Sequence, residues 1–107
     1  MKKYMLLFRG QEGVDTSDEA LKERIHHHIK WIEKLGDQHF DSQRLDDFGA
    51  HIIDHNTVET DGAFIEAKEI ILGYTIILAK DLDEAIFTAK TCPLLNYFEI
   101  MVRPVVS

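Results

Sequence analysis

His28 is the side chain whose type and position could do chemistry. Leu21, Ile25, His28, Ile32 and Leu35 recur at steps of four and three, so on a helix they form one stripe that His28 interrupts. An imidazole in an apolar row is held in partial desolvation and titrates near neutral pH. It can therefore take or give a proton there as a general acid or base. The plainer reading is a core histidine satisfied by one backbone carbonyl. His26 falls nearly opposite the stripe and His27 falls off it.

The other reactive residue types give weaker patterns. His26, His27 and His28, with His39, His51 and His55, invite a metal site. Consecutive helix residues diverge, so the triplet cannot chelate jointly, and His51 and His55 straddle a turn. Most of these histidines read as solvated, and no metal is expected. Cys92 stands at the end of a helix before Pro93, where the dipole raises a thiol pKa, so it reads as a packed side chain rather than a nucleophile. Glu99, Met101 and Arg103 share one row of a strand. There Arg103 could bind an anionic group or pair with Glu99, or the row could be a solvated edge.

Asp61-Gly62-Ala63-Phe64-Ile65-Glu66-Ala67-Lys68-Glu69 is a turn followed by alternating charges. Asp61 can bond the backbone beyond it, Gly62 can take positive φ, and Phe64 can plug a groove. Structural use is the plainer reading. The alternative is that Asp61, Phe64, Glu66, Lys68 and Arg103 contact a small-molecule ligand. No phosphate-binding glycine loop and no Ser/His/Asp arrangement stands out, and no cofactor is expected.

These residues need elements to hold them. Residues 2–9 alternate as a strand, with Tyr4, Leu6 and Phe8 opposite Met5, Leu7 and Arg9. A helix is expected at about 17–35, with Thr16 and Glu19 as capping box and Gly36 as C-terminal stop. A short strand near Arg44-Leu45 and a hairpin with Asp54 to Asn56 at its turn follow. Ile70 to Lys80 is the strongest strand, with Tyr74, Ile76 and Leu78 on one face and Thr75, Ile77 and Ala79 on the other. Asp81 and Glu84 open a second helix that runs to about Thr91, with Leu82, Ala85, Ile86 and Ala89 inward. A last strand covers Tyr97 to Arg103. The order strand, helix, strand or hairpin, strand, helix, strand is the ferredoxin-like split β-α-β arrangement of an α+β protein.

The 107 residues are expected to form one domain, with 45% hydrophobic and 29% charged residues, an ordinary globular composition. A formal net charge of -7 repels phosphate backbones and anionic membranes, so neither nucleic acid nor membrane is an expected partner. One cysteine fits a reducing, cytoplasmic setting, and the apolar run Tyr4 to Phe8 is too short for a signal-peptide core. Two helices cover only one face of a four-stranded sheet, yet these strands are apolar on both faces. A homodimer packed face to face is the expected partner; loops such as 37–60 folding over that face are the alternative.

The motifs resemble the YCII-related family, in its DGPF-domain branch. The residues are Asp61-Gly62-Ala63-Phe64, Glu66, Lys68-Glu69, Gly73-Tyr74, Asp81-Leu82-Asp83-Glu84-Ala85, Cys92-Pro93, and Glu99 to Arg103-Pro104. The resemblance spans nearly the whole chain, most densely 61–104. It implies a ferredoxin-like fold that pairs into a dimeric α+β barrel. It also implies a His-Asp pair, with His28, three residues before Trp31, at the histidine position. Cys92 stands where the aspartate belongs, and Ala63 stands for a proline. One related group acts as a dehydrochlorinase on a chlorinated hydroxyquinol. Two functions follow. The first is a dimer that binds a small organic molecule in a cavity between sheet and helices. The second is a small cofactor-free, lyase- or dehydrochlorinase-like enzyme with His28 as general acid or base.

Overall fold

In a computed structural model that describes residues 1–10, 17–46, 49–60 and 71–106, the chain is a mixed α+β protein. The Asp61–Lys68 candidates, and Thr16, lie outside the described residues.

Among the described residues, six strands and two α-helices follow in the order β1 (Lys2–Arg9), α1 (Asp18–Leu35), β2 (His39–Arg44), β3 (Ala50–Asp54), β4 (Thr57–Thr60), β5 (Ile71–Ala79), α2 (Leu82–Lys90) and β6 (Glu99–Pro104). Four strands make one sheet in the order β2-β5-β1-β6, and β3-β4 form a separate hairpin. All pairings in the main sheet are antiparallel. This is the ferredoxin-like arrangement with a hairpin inserted before β5.

Local chemistry sets the ends of the helices. Ser17, rather than Thr16, caps α1, its hydroxyl accepting from the Ala20 amide at 3.3 Å. Gly36 ends α1 with φ of 53°, a conformation that favours glycine. Asp81 caps α2, accepting from the Glu84 amide at 2.9 Å, while the Glu84 carboxylate takes the Lys80 amide at 3.2 Å. The hairpin turns at Asp54, whose carboxylate accepts from the Asn56 amide at 2.8 Å.

Both helices pack on one face of the sheet. Register places Tyr4 opposite Ile77, Leu6 opposite Thr75 and Phe8 opposite Gly73 on that face. Leu6, Thr75 and Ile77 are fully buried there, each of the two aliphatic side chains contributing about 1.5–3 kcal/mol by leaving water. Gly73 is required by close approach, since a Cβ would stand 2.7 Å from the Gln43 carbonyl oxygen.

The helices meet the sheet along rows that match those the spacing suggests only in part. On α1 the buried residues are Arg24 and Trp31, while Leu21 is exposed and Ile25, His28, Ile32 and Leu35 are partly buried. Arg24 covers apolar surface with its stem and holds its guanidinium over the Tyr97 and Phe98 rings, at 5.3 and 5.7 Å. The Trp31 indole N–H donates to the Thr91 hydroxyl at 2.9 Å, which satisfies its one polar atom. On α2 the buried row is Ala85, Thr88 and Ala89, whereas Leu82 and Ile86 are exposed. Small residues face inward because they let this short helix approach the sheet. Two other boundaries differ. The strand expected near Arg44-Leu45 begins at His39, and a 3-10 turn, Pro93–Asn96, delays the last strand to Glu99.

Candidate functional site

The helix-facing side of the sheet gathers His28, Phe8, Trp31, Thr75 and Ser42. His28 sits in the middle of α1, one turn before Trp31. Its ring stacks on the Trp31 ring with centroids 5.9 Å apart and meets the Phe8 ring edge-on at 5.5 Å. Below it, the Thr75 hydroxyl lies 3.5 Å from Nε2. Thr75 in turn contacts the Ser42 hydroxyl at 2.5 Å, and Ser42 reaches the Tyr74 carbonyl at 3.3 Å.

The electrostatics fit a neutral imidazole. Burial pushes the His28 pKa below its usual 6.5, and the nearby charges of His39 and Arg44 lower it further. Register puts His39 opposite Ile77 and Arg44 opposite Gly73, on the side of β2 that faces the helices. His39 is half-buried, and its Nε2 has no hydrogen-bond partner among the described residues. His39 is therefore not one of the solvated histidines that its sequence context suggests. A half-buried ring that stays neutral near pH 7 can accept a proton or hold a polar ligand atom.

The remaining candidates fall elsewhere. Arg103 is exposed and pairs in register with Met5, on the sheet face away from the helices, so one chain does not bring it to His28. Glu99 lies opposite Arg9 in the same strand pair. Cys92 is buried, and burial pushes its thiol up to about 11, only partly offset by a hydrogen bond with the Leu94 backbone. Burial, more than the helix dipole, makes it inert. His51 is exposed, 3.8 Å from Glu59 across the hairpin. Among the described residues, no group of three or more His, Cys, Asp or Glu side chains comes together as a metal would need.

Sequence spacing did not single out Thr75, Ser42 or Phe8. A threonine centred in an isoleucine-rich strand and facing inward was the available signal, because a buried hydroxyl must find a partner.

A family model for the YCII-related domain matches residues 2–107, nearly the whole chain. The chain belongs to the YCII-related family. No curated protein matches this chain. Among solved structures, it is similar to the 5-chloro-2-hydroxyhydroquinone dehydrochlorinase (TftG) from Burkholderia phenoliruptrix AC1100, in complex with 2,5-dihydroxybenzoquinone. The two share 16% identity over 97% of this chain and 93% of that one, with a TM-score of 0.60. At that identity the likeness establishes a common fold for this YCII-related chain. Among the described residues, no helix is long and apolar enough to cross a membrane.

Proposed function

We propose that this protein binds a small organic molecule on the helix-facing side of its sheet, against the His28 ring. The observation that carries this is the half-buried imidazole between Phe8 and Trp31, with one ring nitrogen directed at Thr75. Aromatic walls suit a flat, partly apolar ligand, and the polar groups beneath them would orient it. The structural neighbour was solved with such a ligand, a dihydroxybenzoquinone.

A second reading, a cofactor-free enzyme with His28 as general acid or base, is favoured by the lowered His28 pKa. Dehydrochlorinase-like chemistry is one form of it. The family's aspartate position holds Cys92, which is buried and protonated, so His28 would act without that partner.

The DGPF-domain branch, the single domain over 1–107 and a cytoplasmic setting belong to the same proposal. So does ligand contact by Asp61, Phe64, Glu66 and Lys68, which precede β5 in the sequence. Arg103 would reach a ligand only across a subunit interface, and the proposed assembly is a homodimer through the face without helices. That face carries Met5, Leu7, Tyr74, Ile76 and Leu78 half-buried, with Phe40 51% and Met101 38% exposed. Covering about 800 Å² per partner, much of it apolar, would offset the cost of association.

A screen of small phenols, quinones and carboxylic acids by ligand-observed NMR tests the binding reading. Wild type should bind members of the set and His28→Asn should lose them while its backbone spectrum stays folded. Equal binding by both proteins would refute it. Turnover of a bound compound that disappears in His28→Asn would select the enzyme reading.

A further inference from the structure

We propose that Thr75 and Ser42 are positioning residues. Together they form a hydroxyl relay that holds His28 in the tautomer with its proton on Nε2, leaving the lone pair on Nδ1. This deepens the reading above and rests on His28 being the working side chain of the helix-facing site.

The direction of the relay follows from counting protons, beginning at the main chain. The Tyr74 carbonyl can only accept, and the Ser42 Oγ lies 3.3 Å from it. Ser42 has one hydroxyl proton. Once that proton is directed at the carbonyl, Ser42 can only accept from Thr75, 2.5 Å away. Thr75 has then committed its own proton. Toward His28 Nε2, at 3.5 Å, its Oγ1 is left with lone pairs alone. A nitrogen that meets an acceptor must carry the hydrogen, so Nε2 is the protonated position of the neutral ring.

The surroundings hold this order in place. Thr75 is fully buried, so water does not compete for its hydroxyl. Ser42 sits directly opposite Thr75 in the β2–β5 pairing. Its own amide donates to the Asp41 carboxylate at 2.8 Å, and the other Asp41 oxygen takes the Tyr74 hydroxyl at 3.1 Å. Asp41 thereby ties together the two strands that supply the relay. The Nε2 contact is long, of the kind that shortens when a ligand fills a site. The consequence for the site is that Nδ1 is the ring nitrogen able to accept a proton or a ligand hydrogen bond.

The test is a two-bond proton–nitrogen correlation spectrum of the His28 ring in 15N-labelled full-length protein, recorded at about pH 8, where the ring is neutral. Wild type should give the Nε2–H pattern. Thr75→Ser keeps the hydroxyl and should keep the pattern. Thr75→Val removes it, and the two nitrogens should move toward the averaged shifts of mixed tautomers. Ser42→Ala frees the Thr75 proton to point at the imidazole and should move the ring toward Nδ1–H. If Thr75→Val does not fold, the Ser42→Ala spectrum decides. An Nδ1–H pattern in wild type overturns the proposal, as does an unchanged Nε2–H pattern in Thr75→Val and Ser42→Ala. A wrong tautomer combined with loss of ligand binding in His28→Asn sinks the relay and leaves the binding reading standing. The expected tautomer with unaltered binding in His28→Asn does the reverse.

Discussion

The two faces of the main sheet come from the same strands and nearly the same residue types, yet among the described residues only one is closed. On the helix-facing side Tyr4, Leu6, Phe8, Ile77 and Ala79 are buried under Trp31, Ala85 and Ala89. On the other side Met5, Leu7, Ile76 and Leu78 remain half-exposed, and Lys3 lies over the Phe40 ring at 3.9 Å. The principal extents of 41 × 37 × 18 Å leave room along the short axis for a sheet and one helical layer. The difference teaches that alternation assigns residues to faces without saying what covers each face. It also separates two jobs. The closed face holds the polar groups that could handle a ligand. The open face holds apolar surface suited to a partner.

The largest expected effect is on the closed face. Trp31→Ala removes a side chain that is 5% exposed and takes the indole donor away from the Thr91 hydroxyl, which keeps its own bond to the Thr88 carbonyl. It should cost about 3–5 kcal/mol in urea unfolding. A loss below about 1 kcal/mol would mean that the closed face is packed more loosely than these contacts require.

The next effect breaks the comparison from the other side. Ile76→Lys places a charge amid the open apolar rows, beside Met5 in the register. In the proposed dimer it should weaken association by about 3–5 kcal/mol, as an uncompensated buried charge does. Light scattering should then report a fall from about twice the chain mass to 12.4 kDa. A wild-type protein already at 12.4 kDa would remove the assembly role of this face.

Cys92 gives a sharper reading of closure. With its thiol pushed up to about 11 by burial, it should react with a disulfide reagent at about pH 8 far more slowly than in unfolded protein. Comparable rates in the two states would contradict the packing of this corner. The smallest effect is at a helix end. Asp81→Ala removes the cap of α2 and should cost about 1 kcal/mol without altering ligand binding or assembly.

Much of this arrangement was legible in the residues. β1, α1, β5 and α2 follow from period and capping, and the split order of elements gives the sheet topology. The hairpin was read from Asp54 to Asn56, whose turn chemistry is local. What escaped depended on size and on contacts distant in sequence. Arg24 and Trp31 displaced Leu21 from the buried row because a guanidinium stacked on Tyr97 and Phe98 can bury its stem, which apolar spacing does not register. Ala85 and Ala89 face inward as the spacing suggests, but Thr88 joins them in place of Leu82 and Ile86 because close approach outweighs side-chain hydrophobicity. His28 was found because a histidine in an apolar stripe is conspicuous. Thr75 and Ser42 were missed because they lie 33 residues apart along the chain, and only the folded register joins them.

The central claim is that His28 is held neutral on the closed face, ready to meet a ligand. Its folded-state pKa lies below the usual 6.5 because burial and the charges of His39 and Arg44 disfavour the cation. The unfolded chain therefore binds the proton more readily. The contribution of His28 to stability is present in full above about pH 6.5 and is lost as pH falls through the folded value. The most direct measurement is an NMR titration of the His28 ring. The account predicts one transition with its midpoint below 6.5. A midpoint at or above 6.5 would contradict it, because the ring would then be solvated or paired with an anion rather than desolvated between Phe8 and Trp31.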